Sequence, residues 1–169
     1  MVCHFCKTTS DLETGTRQGA DGQASVDVDE GLKRELDTFQ AAYAERIKRG
    51  EAPLAAFRAA AELAFAGICD PESMTNVVFG IAADFEQANG VDVTLDPVVV
   101  PRLAKAYLMA LQELRTQPRY EINLPFLTAT KDGPLHFSQG VTIARLSELA
   151  KHAPTAKAPQ KTWWKRLLG

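Results

Sequence analysis

Cysteine, histidine and tryptophan are scarce in this chain: three, three and two among 169 residues. Three cysteines do not make the disulfide framework of a small secreted domain, so a reducing, cytoplasmic setting is the simpler expectation. The histidines, His4, His136 and His152, are scattered. No Gly-x-Ser-x-Gly nucleophile motif occurs, and nothing places two acids across a cleft, so catalysis has little to stand on. Neither sign of charge dominates; the formal net charge of −2 argues against a general nucleic-acid binder. Apolar runs are too short to span a bilayer, and the N-terminus lacks the charged and apolar regions of a signal peptide. No internal repeat is apparent. What is present is a hydrophobic share of 46%, enough to support a core.

The chain divides by composition into residues 1–28, 29–68, 72–152 and 153–169. The first segment is rich in Gly, Thr, Asp and Ser and reads as loosely attached. Within it, Cys3-His4-Phe5-Cys6 has the spacing of half a zinc site or a redox pair, or is an ordinary reduced terminus. Beyond this cluster Cys69, His136 and His152 are the other thiol and imidazole candidates for a metal, and no metal or cofactor is expected.

Residues 29–68 read as a helical hairpin. Leu32, Leu36, Phe39, Tyr43 and Ile47 make one apolar stripe over Asp29–Arg49, with Gly50 as the stop. Pro53 suits the first turn of a second helix, Ala52–Gly67, whose Leu54, Phe57, Ala61, Leu63 and Phe65 give a broad apolar surface. The hairpin packs on the rest of the chain or serves as an interaction face.

In 72–152, Asp70 or Ser73 is placed to cap a helix over Met74–Asn89, ended by Asn89-Gly90. Val91–Leu95 reads as an extended connection with the makings of a short strand. Pro97–Thr116 reads as the next helix, with Pro101 delaying its regular part. Ile122, Leu124, Phe126 and Thr128 then alternate at the period of a strand. Lys131-Asp132-Gly133-Pro134 is turn chemistry, and Leu135, Phe137 and Val141-Thr142-Ile143 return as the second strand. Ala144–His152 closes the segment as a short helix. The fold class is α+β: a small antiparallel hairpin packed with helices, plus the N-terminal helical hairpin.

The tail mixes Pro, Ala and Lys and ends in Lys161-Thr162-Trp163-Trp164-Lys165-Arg166-Leu167-Leu168-Gly169. Trp163, Trp164, Lys165 and Arg166 suit a lipid interface, a partner's pocket or docking on the same domain.

Several motifs in order carry a resemblance. Ile122-Asn123-Leu124-Pro125-Phe126-Leu127-Thr128-Ala129, then Gly133-Pro134-Leu135-His136, then Thr142-x-Ala144-Arg145-Leu146 resemble the hairpin at the tip of the nucleotide-binding domain of the DnaK-type heat-shock protein 70 family. Asp84–Val93, Asp96-Pro97, Arg102-Leu103 and Leu114 extend the match over roughly 75–149. The resemblance implies a subdomain gripped, in that family, by nucleotide exchange factors of the GrpE type. It points to Leu95, Asp96, Pro97, Val98 and Val99, with the turn Lys131, Asp132, Gly133, Pro134 and Leu135, as the partner-binding residues. Val98 and Val99 are the expected apolar anchors, or else first-turn core contacts of their helix.

The resemblance implies a loss as well. The family's phosphate-binding loops are missing from this chain. Where the family presents a Glu and a Lys to the adenosine, this sequence has Leu108 and Leu111; where it contacts the base with a small hydroxyl residue, Arg115 stands. Apolar side chains cannot make ribose hydrogen bonds, and Leu108 is expected to pack, against the added helices if they cover that face. Three readings follow: a non-catalytic chaperone-like binding module, a truncated ATPase fragment of the family, and a membrane-surface adaptor working through the tail. His136 is expected to be structural or partner-facing.

Overall fold

The computed structural model describes residues 27–152, with side chains from Leu32 onward. The Cys3–Cys6 cluster and the Trp163–Arg166 tail lie outside the described residues.

Two helices come first, α1 (Asp27–Lys48) and α2 (Pro53–Phe65). Gly50 sits at φ +83° in the turn between them. The α1 stripe turns inward as its spacing requires: Phe39 and Tyr43 are fully buried, and Leu32, Leu36 and Ile47 pack at its edge. On α2, Phe57, Ala61 and Phe65 are buried, but Leu63 is 66% exposed. The expected broad apolar surface is therefore narrower: at about 100° per residue, Leu63 cannot share a face with both Ala61 and Phe65.

Helix α3 (Pro71–Asn89) starts three residues earlier than its apolar pattern indicates, because Asp70 caps it. The Asp70 carboxylate accepts from the Ser73 N–H at 2.8 Å. Burial works to raise this carboxyl's pKa, but the hydrogen bonds from Ser73 and Glu72 outweigh it and hold it below the usual range. Such a group stabilises above its unfolded pKa, about 3.9, and the contribution is lost as pH falls through the lower folded value. Asp70→Ala should cost about 1 kcal/mol at neutral pH. In urea titrations the difference from wild type should shrink once the pH drops below about 4.

No strand forms over Val91–Leu95; the segment is irregular and ends in turns. Helix α4 (Val99–Glu113) begins after Pro97, because Asp96 Oδ1 takes the N–H groups of Val98 and Val99 and turns the chain into the helix. Strands β1 (Tyr120–Thr130) and β2 (Gly133–Val141) pair antiparallel in a two-stranded sheet. The turn uses Gly133 at φ +128°, a conformation open to glycine. The returning strand stops at Val141. Thr142 instead caps α5 (Ile143–Lys151), accepting from the Arg145 N–H, and Ile143 is helical.

Ring contacts run through the core from end to end. Phe39 meets Phe57 edge-on at 4.8 Å, Phe57 meets Phe79 of α3 at 5.5 Å, and Phe85 meets Phe137 of β2 at 6.0 Å. Helix α5 closes on α3, where the missing side chain of Gly80 makes room for Leu149. Asn76, buried in α3, donates to the Ala150 carbonyl at 2.8 Å. Asp84 Oδ2 joins three elements by accepting from Gln139 and Arg145, each at 3.0 Å.

Candidate protein-binding surface

The loop between α3 and α4 carries four of the expected partner-binding residues, with Val99 opening α4, and it is held from inside. Asp92 Oδ1 accepts from both the N–H and the hydroxyl of Thr94, at 2.8 and 2.7 Å. The Tyr43 hydroxyl reaches across from α1 and donates to the Thr94 carbonyl. Burial, then the negative charges of Asp92 and Asp96, push the pKa of this phenol upward, so it keeps the proton it donates. Together with the Asp96 cap, these bonds fix the loop while two apolar side chains face outward: Leu95 is 50% exposed and Val98 57%. Asp96 and Pro97 are half-buried.

Val99 goes the other way. It is 2% exposed and belongs to the core, with Val100 and Leu103. As an interface anchor it is corrected: it is the first inward residue of α4, and only Val98 is available to a partner.

Arg102, one helical turn after Val98, links this loop to the hairpin. Its Nη2 donates to the Pro125 carbonyl at 2.8 Å, and its Nη1 to the Phe126 carbonyl at 2.8 Å, with a longer 3.4 Å contact to Leu127. This fork seals a bulge. Leu124 pairs with Phe137 and Thr128 with Leu135, so Pro125, Phe126 and Leu127 together face His136. Phe126 lies at φ +52°, strained for a bulky residue. Its N–H donates to His136 Nδ1 at 3.1 Å, and its ring meets the imidazole at 4.8 Å. In this hydrogen bond Nδ1 is the acceptor, which leaves Nε2 as the ring's other polar atom.

The bulge reverses one expectation from the strand pattern. Phe126 is 67% exposed, whereas Leu127 is buried. Strict alternation puts Phe126 with Ile122 and Leu124 on the inner face, and the irregular register moves it outward. Phe126 and Arg102 are thus surface-shaping residues that the sequence reading missed. The usable signal was Pro125, which rarely sits within a regular strand.

The turn residues Lys131, Asp132 and Pro134 are exposed, and Gly133 and Leu135 half-buried. Thr130 stiffens the turn, its hydroxyl bonding the Gly133 carbonyl and the Asp132 N–H. The loop and the bulge are brought together through Arg102. Among the described residues, no hydrogen bond joins the turn to the loop.

Of the positions where the resemblance places nucleotide contacts, Arg115 is exposed and the two leucines are turned inward. Leu108 is 7% exposed in the core, Leu111 packs beside it half-buried, and α1 lies against α4. Cys69 is buried near Met74, its Sγ 3.6 Å from Sδ, so the thiol is enclosed in apolar packing. Among the described residues, no group of three or more His, Cys, Asp or Glu could hold a metal ion. No helix among them is long and apolar enough to cross a membrane.

A DnaK chaperone of Endomicrobium trichonymphae is 42% identical over 72 residues, covering 43% of this chain. The matched part is 12% of that relative's length. A family model described as Hsp70 protein matches residues 74–159, just over half of the chain, from the first turn of α3 through α5. The chain belongs to the Hsp70 protein family.

Proposed function

We propose that the chain is a non-catalytic binding module of the Hsp70 family that engages a protein partner, an exchange factor of the GrpE type. The loop Leu95–Val98 is its main contact and the turn Lys131–Leu135 its second. The observation that carries this reading is the pairing of exposure with rigidity. Leu95 and Val98 stand out from a loop whose backbone is held by Asp92, Asp96 and Tyr43. A pre-ordered apolar pair loses little entropy on docking, which is how a small contact becomes an energetic anchor. The buried Leu108 supports the absence of catalysis, because the side chain at that position is committed to the core and cannot grip a ribose.

The experiment is a titration of the protein with a GrpE-type factor by calorimetry, using wild type and the Leu95→Asp, Val98→Asp double variant. Both side chains are exposed, so the variant should fold. Wild type should bind saturably, and the variant should lose on the order of 2 kcal/mol, roughly thirtyfold in affinity. Equal binding by both proteins, or none by wild type, rejects the reading. Val99→Asp is unsuitable as a probe, because it places a carboxylate in the core.

A further inference from the structure

The outer edge of β1 is open, and α4 forms a charged wall beside it. In the two-stranded sheet β1 pairs only with β2, so alternate N–H and C=O groups of β1 point away from any strand among the described residues. From Pro125 to Leu127 that edge is spent, because Arg102 takes the three carbonyls in turn. From Tyr120 to Leu124, β2 is the one strand among the described residues that pairs with β1.

A shallow groove of about 200 Å³ lies along this open stretch. Tyr120, Ile122, Asn123 and Leu124 of β1 line it. No residue of β2 lines it, so the groove opens on the side of β1 away from its partner strand. Arg102, Lys105 and Met109 of α4 line the opposite side; they are spaced so that they share one flank of the helix, and span about 10 Å along it. The lining contains two cations and no acid. The Arg102 guanidinium is bound to the bulge, which leaves the exposed Lys105 ammonium as the cation open to a ligand. Met109, 41% exposed on an otherwise well-buried helix, supplies an apolar contact.

We infer that this groove accepts an extended acidic segment of a partner protein, which adds as a third strand to β1 between Tyr120 and Leu124. The main chain of the segment pairs with the free edge. One set of its alternating side chains is apolar and covers Met109, while a carboxylate meets Lys105. The bulge at Pro125 ends the added strand and sets its register. Strand addition of this kind draws affinity from backbone hydrogen bonds and selectivity from every second side chain. The inference does not rest on the exchange-factor reading, and its contacts are separable from Leu95 and Val98.

The test is fluorescence anisotropy with a labelled peptide in which Glu and Val alternate. The controls are a Lys–Val peptide and a Glu–Val peptide N-methylated at alternate residues to remove its pairing N–H groups. Wild type should bind the Glu–Val peptide saturably and neither control. Lys105→Glu should weaken binding by on the order of tenfold, Met109→Glu should do the same, and Val98→Asp should leave it unchanged. Both groove side chains are exposed, and circular dichroism checks that each variant is folded. Four outcomes overturn the inference: no saturable binding, equal binding of the methylated peptide, indifference to Lys105→Glu, or self-association of the protein that occupies the edge and excludes the peptide.

Discussion

Leu108→Glu should strongly destabilise the protein and restore no nucleotide contact. The substitution returns to α4 the acid that the resemblance places at this position, yet here the side chain is 7% exposed within the core. A carboxylate forced into that setting has neither solvent nor a partner cation. Leaving a charge buried and uncompensated costs about 3–5 kcal/mol. That is a large part of the roughly 5–15 kcal/mol that holds a domain of ordinary stability together. Urea unfolding at neutral pH should show the loss. Part of it should be recovered in acid, where the introduced carboxyl takes up a proton and becomes cheaper to bury. Calorimetry with ATP should register no saturable heat for wild type or variant. A variant as stable as wild type would mean that this face opens readily. Saturable ATP binding by wild type would point to a surviving nucleotide site and remove the non-catalytic reading.

Phe57→Ala should have an effect of similar size for a different reason. Phe57 is fully buried and its ring meets those of Phe39, Tyr43 and Phe79. It is therefore the side chain through which α1, α2 and α3 share one core. Truncating a buried phenylalanine removes transfer free energy and leaves a cavity, about 3–5 kcal/mol together. If the helical pair and the Hsp70-like part form one cooperative unit, helix content and amide protection in β1 and β2 should be lost in the same transition. If the hairpin keeps its protection while α1 and α2 melt, the pair is a separable attachment, and the burial of Leu108 has to be explained by α3 and β1 alone.

The legible parts of this fold are those where a local pattern and the final environment agree. The α1 stripe has the period of a buried helix face, and Phe39 and Tyr43 lie where that period puts them. Asp70 precedes Pro71 and a run of apolar residues, and it caps α3 as an N-terminal acid does. Asp132-Gly133 carries its turn in its own chemistry. Such features depend on neighbours a few residues away, so the order of residues contains them.

The candidate surface was legible only in part. Leu95 and Val98 came from the resemblance, and the structure shows that they are exposed. Val99 could not be separated from Val98 beforehand, because adjacent valines at a helix start look alike until the helix has an axis. Phe126 was placed on the wrong side of β1. Alternation holds only while each residue has one partner across the ladder, and here three residues face His136. The same applies to Leu63, apolar by type and outward by angle.

By itself the sequence determined the elements, their approximate ends, the family and the apolar character of Leu108 and Leu111, where the resemblance places polar nucleotide contacts. Each of these follows from residue types at short spacing or from motifs in order. The tertiary structure alone decided which apolar residues remain in water, how Tyr43 and Asp92 stiffen the loop from two directions, and where Arg102 closes the strand edge. The physical reason is distance along the chain. Tyr43 and Thr94, or Arg102 and Phe126, meet only after the backbone has folded, and no local pattern records that meeting.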